Sequence, residues 1–380
     1  METPHSILKK FFGYDSFRPG QEQIVQRLLA GQDVLAVMPT GAGKSICYQV
    51  PALLLPGITL VVSPLVSLMK DQVGALVQAG VAAAFLNNSL TDNQKALMLH
   101  RAREGWYKII YVAPERLEMP GFQRFVQEQQ ISMVTVDEAH CISQWGQDFR
   151  PSYLRILDFI DSLPRRPIVS AFTATATREV KDDIAQTLRL RDPEIVITGF
   201  DRPNLYYRVE TTRRKDAFVA DYVRSHPGES GIIYCATRKN VDSVQEMLRG
   251  EDISAARYHA GMTNEERRQS QNDFIYDAAP VIVATNAFGM GIDKSNVRYV
   301  IHYNMPQSME NYYQEAGRAG RDGLPSQCIL LFSPQDIVIN RFLLDHKEND
   351  DLDDEAADLL RARDNQRLQA MANYCQTTGC

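Results

Sequence analysis

At 380 residues the chain exceeds what one ordinary hydrophobic core supports, so two domains with a further fragment are expected. An apolar share of 44% and a charged share of 23% fit a globular cytoplasmic protein; no run approaches the ~20 apolar residues of a membrane span, and "METPHSILKKFF" lacks a signal peptide's apolar centre. The net charge of −6 excludes a uniformly basic surface, although a local groove of Arg and Lys can hold a nucleic-acid strand on an acidic chain.

Along the chain, short β-branched runs alternate with helical stretches, which predicts parallel sheets covered by helices on both faces, an α/β fold. "FGYDSFRPGQEQ" reads as a turn opening a helix, Pro19 suiting the first helical turn, and "GQEQIVQRLLA" continues that helix. "DVLAVM" (33–38) predicts a buried strand. It runs into "MPTGAGKS" (38–45), a strand–turn–helix junction whose Gly41 and Gly43 let backbone amides converge on phosphate oxygens. Thr40, Gly41, Ala42 and Gly43 form the turn, Lys44 reaches the β and γ phosphates, and Ser45 ligates Mg²⁺. Met38 stands where the general pattern has its first glycine. The plain alternative is a Gly-rich turn with no ligand.

Further strands are predicted at "TLVVS" (59–63), "KIIYVA" (108–113), "SMVTVD" (132–137), "PIVSAF" (167–172) and "EIVITG" (194–199), with "LVSLMKDQVGALVQAG" as a helix. "DEAH" closes the third of these. A carboxylate at a strand's end, Asp137, can hold Mg²⁺, while Glu138 can polarise an attacking water as general base. Trp145 and Phe149 follow in "CISQWGQDFRPSY", either as core aromatics or as exposed stacking surfaces; Gly146, Gln147 and Asp148 between them argue against a fully buried strand.

After "GFDRPN" the alternation restarts with "SGIIYCA", "AARYHA", "PVIVAT", "RYVIHY" and "QCILLF", a second α/β domain. Pro, Asn and charge in "FDRPNLYYRVETTRRKD" place a hinge near residues 200–212, and the domains are expected at 1–203, 204–338 and 339–380, the last acidic and helical. In "QEAGRAGRDG" (314–323), Arg318 and Arg321 lie on roughly one helical face. A planar guanidinium offered across a cleft stabilises charge on a transferring phosphoryl group, with Arg321 the candidate finger and Arg318 its companion. Cys47, Cys141, Cys235 and Cys328 sit in apolar or motif-like contexts, which favours reduced thiols.

In order, "FRPGQ" (17–21), "MPTGAGKS", "VVSPLVSLMKDQ" (61–72), "YVAPERL" (111–117), "DEAH", "SAFTATAT" (170–177), "IIYCATRKN" (232–240), "VATNAFGMGIDK" (283–294) and "QEAGRAGRDG" resemble superfamily 2 helicases, and among them the RecQ DNA helicases, over residues 5–380. The resemblance implies two tandem RecA-like parallel-sheet domains with a short C-terminal helical segment. It implies ATP-driven translocation from 3′ to 5′ on single-stranded DNA with duplex unwinding, in recombination and repair. ATP and Mg²⁺ are the implied cofactors, and single-stranded and partially duplex DNA the implied substrate. Single-strand-binding protein and topoisomerase are implied partners, in a bacterial, nucleoid-associated, cytoplasmic setting with no membrane.

By the same resemblance Tyr14 stacks on adenine, Arg18 adds a contact and Gln21 reads the base through paired hydrogen bonds. Ser143, Trp145, Phe149 and Arg150 touch single-stranded DNA and so couple strand occupancy to the nearby carboxylates. Thr173 and Thr175 link nucleotide and strand. Ser63, Pro64 and Leu65 in one domain, with Thr237 and Arg238 in the other, contact backbone phosphates; Thr285, Phe288, Gly289 and Asp293 match a motif that meets strand and cleft. "CQTTGC" resembles the start of a four-cysteine zinc site, with Cys380 as first ligand and Cys375 beside it, so Zn²⁺ is implied for a longer protein with the set incomplete here. Motifs do not fix the coupled work. A strand translocase or protein remodeller stays open, and an RNA helicase is the nearer rival, although such enzymes typically show "DEAD".

Overall fold

A computed structural model describes residues 2–64, 66–143, 149–199, 201–288, 294–346 and 354–377. The chain divides into two compact units, Met1–Phe200 and Asp201–Cys380. The division falls a few residues before the expected boundary at 203/204.

The first unit contains helices α1 (Pro4–Phe12), α2 (Gln21–Leu29), α3 (Lys44–Leu54), α4 (Val66–Gln78), α5 (Asp92–Arg103), α6 (Pro120–Glu128), α7 (Pro151–Ser162) and α8 (Arg178–Thr187). Its strands are β1 (Val34–Val37), β2 (Ile58–Val62), β3 (Ala83–Leu86), β4 (Ile109–Val112), β5 (Ile131–Val136), β6 (Ile168–Thr173) and β7 (Glu194–Ile197). They form one parallel sheet in the order β3-β4-β2-β5-β6-β1-β7. Successive strand side chains point to opposite faces, so both faces must be covered. Leu60, Val62, Val134 and Val136 enter one core, while Val34, Ala36, Val61 and Met133 enter the other. Because β2, β5, β6 and β1 are parallel neighbours, the turns leaving their carboxyl ends gather at one edge, where open α/β sheets bind ligands.

The second unit contains β8 (Leu205–Thr211), β9 (Ser230–Tyr234), β10 (Ala255–Tyr258), β11 (Val281–Ala284), β12 (Val297–His302) and β13 (Ser326–Phe332), parallel in the order β10-β11-β9-β12-β13-β8. Its helices are α9 (Lys215–Ser225), α10 (Arg238–Gly250), α11 (Asn264–Ile275), α12 (Met309–Ala316), α13 (Pro334–Asp345) and α14 (Asp354–Gln376). Two strands were not anticipated, β3 and β8. The stretch expected to be a hinge is largely β8, an edge strand that among the described residues pairs only with β13 and therefore tolerates Arg208 and Glu210 on its exposed side. Helix α13 runs through the expected boundary at 338/339. Leu344, Leu368, Met371, Ala372 and Cys375 pack into the same core as Ile232, Ile282 and Leu330, so the tail helices belong to the second unit. Among the described residues no helix is long and apolar enough to cross a membrane.

Candidate functional site

The turn after β1 is braced from below. Gly43 caps α3 with φ 78° and Gly41 has φ 84°, both in the left-handed region that favours glycine. A Cβ on Gly43 would lie 2.5 Å from Gln21 Nε2, so the position is closed to side chains on space as well. Gln21 Nε2 donates to the carbonyls of Ala42 (2.9 Å) and Gly43 (3.1 Å), and its Oε1 accepts from Arg18 N–H at 2.9 Å. Arg18 Nη1 donates to the Gly41 carbonyl at 2.7 Å. Gln21 is buried, whereas Tyr14 is half exposed. Beside the expected reading of adenine, Gln21 has a second role here, because both hydrogens of its amide reach loop carbonyls. Thr40 and Ser45 complete the loop, half-buried. Lys44 Nζ donates to the Met38 carbonyl at 3.3 Å, folded back on its own turn. Met38 replaces a glycine without cost because its side chain turns into the core, 3.8 Å from Cys47 Sγ.

Strand β5 carries the carboxylates to the same edge. Glu138 adopts a left-handed backbone, φ 49°, which turns the chain sharply behind Asp137. Its N–H donates to Asp137 Oδ1 at 3.0 Å. Burial, then the charge of Glu138, pushes the Asp137 carboxyl up to about 7, against the opposing pull of Lys44. Glu138 Oε2 is buried and accepts no hydrogen bond; His140 Nδ1 is 3.4 Å away. A buried carboxylate oxygen with unmet acceptor capacity beside a second carboxylate and a lysine suits a bound cation and an ordered water, so the residues fit Mg²⁺. His140 Nδ1 lies 3.0 Å from Thr173 Oγ1, whose hydroxyl donates to the Thr175 carbonyl at 3.0 Å. His140 was not singled out from the sequence; its place in "DEAH", one turn past the carboxylates, was the available signal.

The segment after "DEAH" returns to the carboxylates. Tyr153 donates its hydroxyl to the Asp137 carbonyl at 3.1 Å, and burial pushes that phenol well above its usual range, so it remains a donor. Arg150 donates its N–H to Cys141 O at 2.9 Å and Nη1 to Pro64 O at 3.3 Å. Phe149 is half-buried. Ser143, expected to touch a strand, is buried, and its hydroxyl donates to Asp183 Oδ2 at 2.5 Å. Ser63 is also buried. Trp145 and Leu65 lie outside the described residues.

In the second unit, α12 ends at Ala316, so Arg318 and Arg321 stand on the following turn and not on a shared helical face. Arg318 is buried and hydrogen-bonds Tyr234, whose hydroxyl donates to the Phe288 carbonyl at 3.0 Å; Arg321 is half-buried. The turn is held by residues taken for a hinge. Arg202 donates to the carbonyls of Gly317 (3.3 Å), Ala319 (3.0 Å) and Gly320 (3.0 Å), and Asn204 Nδ2 to Gly320 at 2.9 Å. Gly320, at φ 56°, would place a Cβ 2.4 Å from that amide. Thr237 caps α10, accepting from Asn240 N–H at 3.1 Å, and Arg238 is exposed beside it. Phe288 is buried in the core, not offered to a strand. Gly289, Asp293 and Cys380 lie outside the described residues.

The zinc implied for a longer protein rests first on Cys380, outside the described residues. Among the described residues no group of three or more His, Cys, Asp or Glu is placed to hold a metal ion. Cys375 packs in the core, where burial pushes its thiol up to about 12. Cys47, Cys141, Cys235, Cys328 and Cys375 are buried and joined in no disulfide.

A glycine-rich phosphate turn and paired carboxylates on one parallel sheet, followed by a second sheet bearing paired arginines, define the helicase class of nucleotide-dependent motors. Residues 18–183 match the DEAD/DEAH box helicase family and residues 214–323 the helicase conserved C-terminal domain. The chain is 47% identical to "ATP-dependent DNA helicase RecQ" of Bacillus subtilis (strain 168) over 381 residues, all of this chain and 63% of that protein. It is 40% identical over 380 residues to the "Probable ATP-dependent DNA helicase RecS" of the same organism, 97% of this chain and 75% of that one. Among solved structures, the helicase Mss116p bound to ssRNA and AMP-PNP shares 16% identity at a TM-score of 0.75, covering 91% of this chain and 75% of that one, a likeness of fold. The chain belongs to the RecQ family of ATP-dependent DNA helicases. It spans about three fifths of the RecQ proteins it matches, 63%, 58% and 60% of their lengths.

Proposed function

We propose that the chain is the motor of a DNA helicase that hydrolyses ATP to move 3′ to 5′ along single-stranded DNA and separate duplexes, serving recombination and repair in the cytoplasm at the nucleoid. The loop amides of Thr40, Gly41, Ala42 and Gly43 with Lys44 bind the phosphates, Tyr14 stacks on the base, and Gln21 reads the base with Arg18 beside it while both hold the loop in shape. Ser45 and Asp137 would hold Mg²⁺, which when bound neutralises phosphate charge. Glu138 Oε2 takes a proton from the attacking water, and Arg321 with Arg318 supplies guanidinium charge to the transferring phosphoryl group. Ser143, Trp145, Phe149 and Arg150 in the first unit, and Thr237 and Arg238 in the second, contact the strand. Single-strand-binding protein and topoisomerase are proposed partners of the longer protein.

The carrying observation is the bond from Tyr153 to the Asp137 carbonyl, which joins the aromatic segment to the carboxylates within one buried scaffold. Such a link suits a motor whose hydrolysis depends on an occupied strand path. The test is strand separation on matched DNA and RNA duplexes with 3′ or 5′ tails, with and without ATP. ATP-dependent opening of the 3′-tailed DNA is expected. Equal opening of RNA would remove the DNA assignment, and preference for the 5′ tail would reverse the polarity.

A further inference from the structure

A polar seam runs through the core of the second unit and no role above uses it. Asn304, just past β12, is 7% exposed. Its Oδ1 accepts from Ala236 N–H at 3.1 Å and from Asn240 Nδ2 at 3.0 Å, while its Nδ2 donates to Asp336 Oδ1 at 2.8 Å. Asp336, in the first turn of α13, accepts at Oδ2 from Lys215 Nζ (2.7 Å) and Ser333 N–H (2.9 Å). Lys215 Nζ also donates to the Tyr303 carbonyl at 2.7 Å. One orientation of the Asn304 amide satisfies the whole set, because two donors face one end and a carboxylate faces the other. A buried network with every member paired is rigid, and removing its central amide orphans groups on three elements at once.

Ala236 and Asn240 bracket Thr237 and Arg238. The backbone bond at Ala236 fixes the chain entering the turn, and the bond at Asn240 fixes the first turn of α10, the positive end of the helix dipole, where Arg238 is exposed. We infer that Asn304 is a positioning residue for strand binding, setting the direction in which Arg238 and the start of α10 present positive charge to a backbone phosphate. Its own orientation is set by α13 through Asp336, so the tail helices and the phosphate-facing turn move as one piece. The inference rests on the phosphate contact proposed for Arg238. A residue that only stabilised the core would weaken folding without changing how many phosphates the protein neutralises.

That difference is measurable as the salt dependence of oligothymidylate binding by the 380-residue chain, followed by fluorescence anisotropy. On a single strand each neutralised phosphate contributes about 0.7 to the slope of log affinity against log salt. Arg238→Ala is expected to lower the slope by about that amount, Asn304→Ala by the same amount, and the double variant no further. Asn340→Ala serves as the control, since it removes a neighbouring buried bond, Nδ2 to the Met305 carbonyl at 2.7 Å, outside the turn. It is expected to lower the melting temperature and keep the wild-type slope. Should Asn304→Ala not fold, Asn304→Ser, too short to reach both donors, carries the same expectation. A wild-type slope in the folded Asn304 variant, or losses that add in the double variant, overturns the inference alone. A wild-type slope in Arg238→Ala refutes the phosphate contact, and the inference with it.

Discussion

The hydroxyl of Tyr153 and the backbone carbonyl of Asp137 meet at 3.1 Å inside the first unit, where neither can reach water. The bond ties the first turn of α7 to the strand end that carries the carboxylates. Tyr153→Phe keeps the ring and leaves the Asp137 carbonyl without that partner, a loss of about 1–3 kcal/mol in stability. Because the same bond joins the aromatic segment to Asp137, the ratio of DNA-stimulated to basal ATP hydrolysis is expected to fall about tenfold, the kinetic equivalent of about 1.4 kcal/mol. Basal hydrolysis should change far less. Steady-state rates with and without oligonucleotide decide it, and an unaltered ratio would detach the segment from the carboxylates.

Gln21 holds the phosphate loop through the Ala42 and Gly43 carbonyls, with both amide hydrogens committed. Gln21→Ala therefore loosens the loop itself. With net bond values of about 0.5–1.5 kcal/mol each, nucleotide affinity should drop roughly tenfold. The drop should be larger for ATP than for GTP, because the loop holds the phosphates they share while base reading is lost for adenine alone. Titration of fluorescent analogues of both nucleotides tests this; equal losses would confine Gln21 to bracing the loop.

What the sequence made legible follows from how each signal arises. Buried parallel strands such as β1, β2 and β5 are continuous apolar runs, and the phosphate turn and "DEAH" are fixed by local backbone needs, so both were readable. Strand β8 was hidden because an edge strand needs only one buried partner, and "LYYRVET" keeps the polar residues of a linker. Long-range contacts were hidden for a different reason. Arg202 and Asn204 brace a turn more than a hundred residues downstream, and His140 meets Thr173 across two strands, separations on which local periodicity is silent. The burial of Ser143 was hidden in the same way, because motif position does not report burial; its bond to Asp183 does.

Arg318 and Arg321 differ in setting although they stand three apart. Arg318 is buried and bonded to Tyr234, whereas Arg321 is half-buried on a turn clamped by Arg202. Arg321→Ala is expected to lower kcat for ATP hydrolysis by about 10³ or more while leaving nucleotide affinity near wild type, the signature of a group that acts on the transition state. Arg202→Ala should give a milder loss of the same kind, since it frees the turn and leaves the guanidinium. Equal losses in kcat and affinity for Arg321→Ala would make it a binding residue.

Asp137 is held at a cost to the fold. Its carboxyl is raised from an ordinary value of 3.8 to about 7, chiefly by burial and next by the charge of Glu138. Between those values the folded chain keeps a proton that the unfolded chain has released, so this group makes stability fall as pH rises through the window and level off above it. Asn cannot ionise, and Asp137→Asn removes that slope. With magnesium chelated, the variant should melt near wild type at about pH 4 and progressively above it as pH approaches 7, the gain reaching a few kcal/mol. Hydrolysis should be lost at every pH, because the neutral amide is a poor ligand for the cation. Activity and stability then move in opposite directions at one residue, as expected where a site is built for function at the fold's expense. Differential scanning calorimetry of both proteins across this range in chelator is the measurement; parallel melting curves at all pH values would show that Asp137 ionises in the fold as it does in water.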